Sequence, residues 1–199
     1  MDVIAFTREA VMWSKVGIPL VLALGLITGS SASKAQGDDP LTIVKGFFAA
    51  TNAGDTDRAM ALVGDDPIFV NTQGVEGRGR DAMLRFAQAL VRENAKIDII
   101  TARVEGNTVI WHNNLTTSSY EKLGVAPIEV NAWMVVEGGK ITYSNQYYPP
   151  RSVERIERAC ESPERQHIQI LGQSCSEAAR RLRAHMEQIR STGIPEWNY

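Results

Sequence analysis

Cysteine and histidine are scarce in this 199-residue chain, which has two of the first, Cys160 and Cys175, and three of the second. With only His167 lying between the cysteines, no structural zinc pattern is completed, and no metal is expected. There is no excess of positive charge either: 21 basic residues against 23 acidic leave a net charge of -2, which gives no electrostatic ground for binding nucleic acid. Phosphate loops, dinucleotide fingerprints, internal repeats and low-complexity tracts are missing, so no cofactor is expected. The strongest apolar run, Val16 to Ile27, is shorter than the roughly 20 residues that a bilayer span requires.

What is present is a hydrophobic share of 44%, enough for a real core and unlike a disordered chain. At the start, Lys15, the apolar run and then small residues read as a signal peptide over 1–35, with Ser33 and Ala35, or Ser30 and Ala32, fitting the small-x-small cleavage rule. Asp2 and Glu9 are unusual ahead of an export signal and point to a translation start at Met12. A periplasmic or secreted product without a stable membrane anchor follows. In that oxidising setting Cys160 and Cys175 are expected to form a disulfide.

Periodicity then divides the rest. Asp39 can cap a helix with Pro40 in its first position, placing Leu41, Val44, Phe47 and Phe48 on one face. Asp55 caps a second helix, Thr56 to Val63; Pro67 to Asn71 is a short strand and Gly74 to Gly79 a loop. "RDAMLRFAQALVRE" is a third helix, facing inward with Met83, Phe86, Ala87, Leu90 and Val91. From Lys96 the period changes to alternation in four extended segments, Lys96–Gly106, Asn107–Glu121, Pro127–Glu137 and Lys140–Tyr148, with hairpin turns at Gly106-Asn107 and Gly138-Gly139. Helices followed by an antiparallel meander make an α+β domain in which a curved sheet wraps the helices and leaves a pocket. Residues 151–199 read as a helical C-terminal extension, its second helix opened by a Ser174-x-x-Glu177 capping box.

The run "FFAATNAGDTDRAMALVGDDPIFVNTQGVEGRGRDAM" and the closing "EGGKITYSNQYY" resemble nuclear transport factor 2-like domains, the SnoaL-like superfamily, over 36–150. The spacing from "FVN" through "GRDA" to "GGKIT" is most similar to the limonene-epoxide hydrolase branch. The resemblance implies three N-terminal helices packed in the sheet of a cone, an apolar pocket and a homodimer. It also implies two catalytic sets. The epoxide hydrolase relay of arginine and two aspartates would fall on Asn113, Leu115 and Gln146, and its water-holding tyrosine and asparagine on Phe69 and Asn71. The ketosteroid isomerase base and two oxyanion donors would fall on Asn71, Phe47 and Asn131.

An amide cannot exchange protons near neutral pH; it can only donate and accept hydrogen bonds. One reading therefore makes Asn71, Asn113, Asn131 and Gln146 a neutral lining amid Phe47, Phe69, Trp111 and Trp133, suited to gripping a small apolar molecule without transforming it. The other has these amides facing solvent from the outer side of the sheet. His112, out of phase with Trp111 and Asn113, should face away from the pocket. Glu129 shares a strand face with Asn131 and is the one candidate acid or base, if that face is the pocket. Tyr143, Tyr147 and Tyr148 could donate to a ligand, and Asn114-Leu115-Thr116 spells a glycosylation acceptor in mid-strand. A third reading has the extension plugging the pocket, held by Cys160 and Cys175.

Overall fold

The computed structural model describes residues 39–192; the expected signal segment lies outside them. Asp39 accepts from the Thr42 amide at 3.2 Å, Pro40 occupies the first position, where a helix needs no N–H partner, and α1 runs Pro40–Asn52. Asp55 accepts from the Arg58 amide at 3.0 Å and opens α2, Thr56–Ala61. That helix ends before Val63, because β1 already begins there and spans Val63–Val70. Its first half carries the exposed Asp65 and Asp66, so no apolar alternation marks it in the sequence.

The expected loop after β1 contains a short strand, β2 (Glu76–Arg78), antiparallel to β1, and α3 follows as Gly79–Arg92. Three long strands come next in chain order, β3 (Lys96–Glu105), β4 (Thr108–Thr116) and β5 (Ile128–Glu137), followed by β6 (Lys140–Tyr147). Between β4 and β5 stands α4, Ser118–Leu123, where the sequence reading continued the strand; the Thr117 hydroxyl accepts from the Tyr120 amide at 3.2 Å and starts a helix instead. The six-stranded sheet has the order β2-β1-β6-β5-β4-β3, with β1 parallel to β6.

Register decides which side chains share a face. Trp111 lies opposite Ala132, Asn113 opposite Val130 and Ala132 opposite Gln146, so Trp111, Asn113 and Gln146 point to the side covered by α1 and α3. His112 lies opposite Asn131, Asn114 opposite Glu129 and Trp133 opposite Asn145, and these occupy the outer face.

The chain beyond β6 forms α5 (Pro150–Glu161), a 3-10 turn, a hairpin of β7 (Gln169–Ile170) and β8 (Gln173–Ser174), and α6 (Cys175–Ser191). Ser174 caps α6 by accepting from the Glu177 amide. Val153 and Ile156 of α5, Ile170 of the hairpin, and Ala178, Leu182 and Met186 of α6 belong to the same buried core as the sheet. Arg155 donates to the carbonyls of Val125 and Pro127, and Arg183 pairs with Glu157 across the two helices, which holds the Glu157 carboxyl below its usual range. Among the described residues no helix is long and apolar enough to cross a membrane.

Cys160 and Cys175 are bonded, with Cα atoms 5.4 Å apart and a sequence separation of 15. The link closes the loop that carries the hairpin. A loop of this length is worth about 3 kcal/mol in the chain-entropy view. Replacing both cysteines by serine is therefore expected to lower unfolding stability by about that amount, read from the urea midpoint at unchanged slope.

Candidate functional site

The hollow between the sheet and α1 and α3 is mostly filled by its own walls. Phe47 is fully buried, and Trp111 packs edge-on against Phe48 with ring centroids 5.1 Å apart. Trp111 donates its indole N–H to Asn113 Oδ1 at 2.9 Å, so the indole's one donor is already used within the wall. At the open end, Ile170 and Leu171 at the tip of the hairpin meet Phe86, Leu90, Leu115 and Tyr148. A cavity of about 30 Å³ remains there, room for one or two waters and far too small for a terpene or steroid. Gln146 borders this cavity.

Tyr120, Tyr148, Glu93, Ser119 and Thr117 around the cavity are paired. Tyr120 and Tyr148 share a hydroxyl–hydroxyl hydrogen bond of 2.6 Å. Burial pushes the Tyr148 phenol up to about 12, and burial with the neighbouring Tyr148 raises Tyr120 as well. Both keep their protons at any physiological pH and can only donate or accept hydrogen bonds. Glu93, just past α3, also borders the cavity; its carboxylate accepts from the Ser119 amide at 3.1 Å and the Ser119 hydroxyl at 2.6 Å, tying α3 to α4. The sequence reading missed Glu93, Tyr120 and Thr72 here. Glu93 looks like an ordinary helix end and Tyr120 like part of a strand.

The remaining predicted residues separate. Asn71 stands after β1, and its Oδ1 accepts from the Gln73 and Val75 amides, each at 3.0 Å. It is an Asx-type turn holder. Asn131 and Trp133 lie on the outer face of the sheet, away from the hollow, which corrects their place in one pocket lining; Glu129 shares that outer face, so the condition set for its acid or base role is not met. Asn131 Oδ1 faces His112 Nδ1 at 2.8 Å and its amide nitrogen donates to the Tyr147 hydroxyl at 3.2 Å. Glu129 accepts from Arg151 Nε at 2.7 Å and lies 3.8 Å from His112 Nε2. The physical reason is cross-strand register: Asn131 pairs with His112 and not with Asn113, so the two amides fall on opposite sides. His112 faces away from the hollow, in line with its phase.

A larger space lies on the other side of the hairpin tip. It is a groove of about 550 Å³ between α3, the β1–β2 turn and the hairpin, and Phe69, Asn71, Phe86 and Leu171 line it. Phe69 and Phe86 stack there with centroids 4.9 Å apart. Phe86 and Leu171 border both spaces and form the wall between them. Leu171 has φ 51 and the next residue, Gly172, φ 79, so the hairpin turn puts a leucine where an asparagine or glycine is usual. That conformation costs a branched residue about 1–2 kcal/mol. Burial of Ile170 at about 1.5–3 kcal/mol, together with the disulfide, outweighs it. Among the described residues no group of three metal-binding side chains occurs.

His185 of α6 is buried against the turn after β1, where a Cβ on Gly74 would lie 2.9 Å from its Nδ1. Burial lowers its pKa; the Gln146 carbonyl and the Gln188 side chain moderate the shift without a well-aligned hydrogen bond to the ring. An unfolded histidine takes a proton near 6.5, before the folded one does. This contribution to stability is therefore complete above about pH 6.5 and is lost as the pH falls below it. Melting temperatures are expected to drop as the pH falls below about 6.5, with a shallower slope in His185→Gln, as read by calorimetry on the acid side of that point.

Among curated proteins none matches the chain. Solved structures do. A Kribbella flavida protein superposes with a TM-score of 0.51 at 18% identity, covering 62% of this chain and 95% of its own. An NTF2-like protein of unknown function from Cytophaga hutchinsonii gives 0.47 at 19% identity, covering 57% and 92%. A hypothetical protein with a ketosteroid isomerase-like fold from Catenulispora acidiphila, in complex with trimethylamine, gives 0.45 at 20%, covering 55% and 87%. At 18% identity the likeness to the Kribbella flavida protein speaks for the fold alone. Residues 44–144, just over half of the chain, match the SnoaL-like domain family, and the chain belongs to that family.

Proposed function

We infer that this is an exported SnoaL-like domain that binds a small apolar ligand without transforming it. The ligand seat is the groove beside α3. Within the family the epoxide hydrolase branch is taken as nearest, on the order of the "FVN", "GRDA" and "GGKIT" segments. The observation that carries the reading is the contrast in space: about 30 Å³ inside the hollow against about 550 Å³ in the groove. The groove is within the usual range for ligand pockets and has Phe69, Phe86 and Leu171 at its floor.

Chemistry agrees with binding rather than turnover. General acid or base work requires a group that can change protonation near neutral pH beside the reacting atoms. The tyrosines at the hollow stay protonated, Glu93 is engaged with Ser119, and Glu129 is on the far face with Arg151. The plugging of the hollow by the extension belongs to the same reading, since the plug builds one wall of the groove. A homodimer through the outer sheet face, where Ile110, Trp133, Val135 and Tyr143 are half-buried, is part of the proposal. Sedimentation equilibrium is expected to give twice the chain mass, and a monomer at all concentrations removes that part.

The binding proposal has a direct test. The apolar dye N-phenyl-1-naphthylamine is expected to brighten on the purified protein. Phe86→Trp, which fills the groove, should weaken it by about tenfold, as expected when a pocket contact is replaced by a clash. Trp133→Phe on the outer face should leave it unchanged. Terpene epoxides and 3-keto steroids should show no turnover; clear turnover abolished by Glu93→Gln or Glu129→Gln overturns the reading.

A further inference from the structure

The groove joins apolar side chains to two exposed arginines of α3. Along α3 the residues lining it are Ala82, Arg85, Phe86, Ala89 and Arg92, a stripe at three- and four-residue spacing, with Glu93 just past the helix end. Arg85 and Arg92 are both exposed and stand two helical turns apart, roughly 10 Å along the axis. Both border the groove, and a long arginine stem can lie along apolar surface while its guanidinium stays in water.

Arg78, Arg103, Arg151, Arg158, Arg180, Arg181 and Arg183 each have a carboxylate within ion-pair distance. Arg85 and Arg92 have none among the described residues. The two acids that border the groove are already engaged, Glu76 with Arg78 and Glu93 with Ser119. Arg85 and Arg92 thus stand beside Phe69, Phe86 and Leu171 with no carboxylate of the described residues in ion-pair contact, while the carboxylate of Glu93 is turned to Ser119.

The geometry points to an amphiphilic acid as the ligand: a hydrocarbon body on Phe69, Phe86 and Leu171, with one carboxylate held by Arg85 and Arg92. This rests on the groove being the binding seat and adds the chemical class of what it takes. A guanidinium grips a carboxylate through two parallel N–H donors, which fixes orientation as well as charge. The left-handed Leu171 serves the same end, because it keeps an isobutyl group at the inner end of the groove, where a glycine would leave the floor open to the hollow. An acid chain longer than the groove would meet this wall.

Calorimetric titration of the full protein with decanoate and with decan-1-ol separates the two levels of the proposal. Decanoate is expected to bind more tightly than the alcohol, and the difference should shrink in high salt, where exposed charges are screened. Arg85→Gln with Arg92→Gln should weaken decanoate by about tenfold and leave the alcohol unchanged, these being charge-assisted bonds at exposed positions. Equal binding of acid and alcohol, or an equal loss of both in the double variant, overturns the acid assignment while the apolar seat stands. Binding of neither probe overturns both. Leu171→Gly, which suits the turn and keeps the fold, should admit longer acids; unchanged chain-length preference removes the role given to Leu171.

Discussion

Ile170 is 1% exposed at the tip of a two-residue strand, and its burial at the open end of the hollow organises everything around it. Were that end left open, the aromatic and aliphatic surface of Phe86, Leu90, Leu115 and Tyr148 would face water. The hairpin covers it, at the expense of a leucine in a left-handed turn. A two-residue ladder cannot hold itself in water. The disulfide at Cys175, directly after β8, and the apolar stripe of α6 provide what the ladder cannot.

Closing the hollow also creates the groove. The same Leu171 side chain that seals one space is a wall of the other, and Phe86 is shared in the same way. In the proposed reading the seat of this SnoaL-like domain is moved outward from a filled interior to the groove beside the hairpin. The polar groups left inside are neutral or already paired. Asn113 Oδ1 already accepts from Trp111 and gives no drive to admit a ligand, whereas an unsatisfied buried amide would cost about 1–3 kcal/mol.

Much of the architecture was legible locally. Asp39, Asp55 and Ser174 act as caps where the sequence placed them, and the hairpin turns at Gly106-Asn107 and Gly138-Gly139 have the positive φ values such turns use. Parity within a strand also held: His112 opposes the phase of Trp111 and Asn113, and Glu129 shares a face with Asn131. What failed was parity between strands. The link from β4 to β5 contains the helix α4, so counting residues along the chain could not tell which face of β5 continued the Trp111 face of β4.

The candidate site shows the same boundary. Residue order sufficed for the α+β class, the apolar faces of the helices and the pairing of the only two cysteines, because each depends on neighbours a few positions apart or on simple elimination. The split of the expected lining into a filled interior and an outer polar cluster came from packing, as did the roles of Glu93 and Leu171 and the opening of a groove. These follow from contacts between segments a hundred residues apart, such as Gln73 with Ile170, and short-range preference carries no information about how such segments meet.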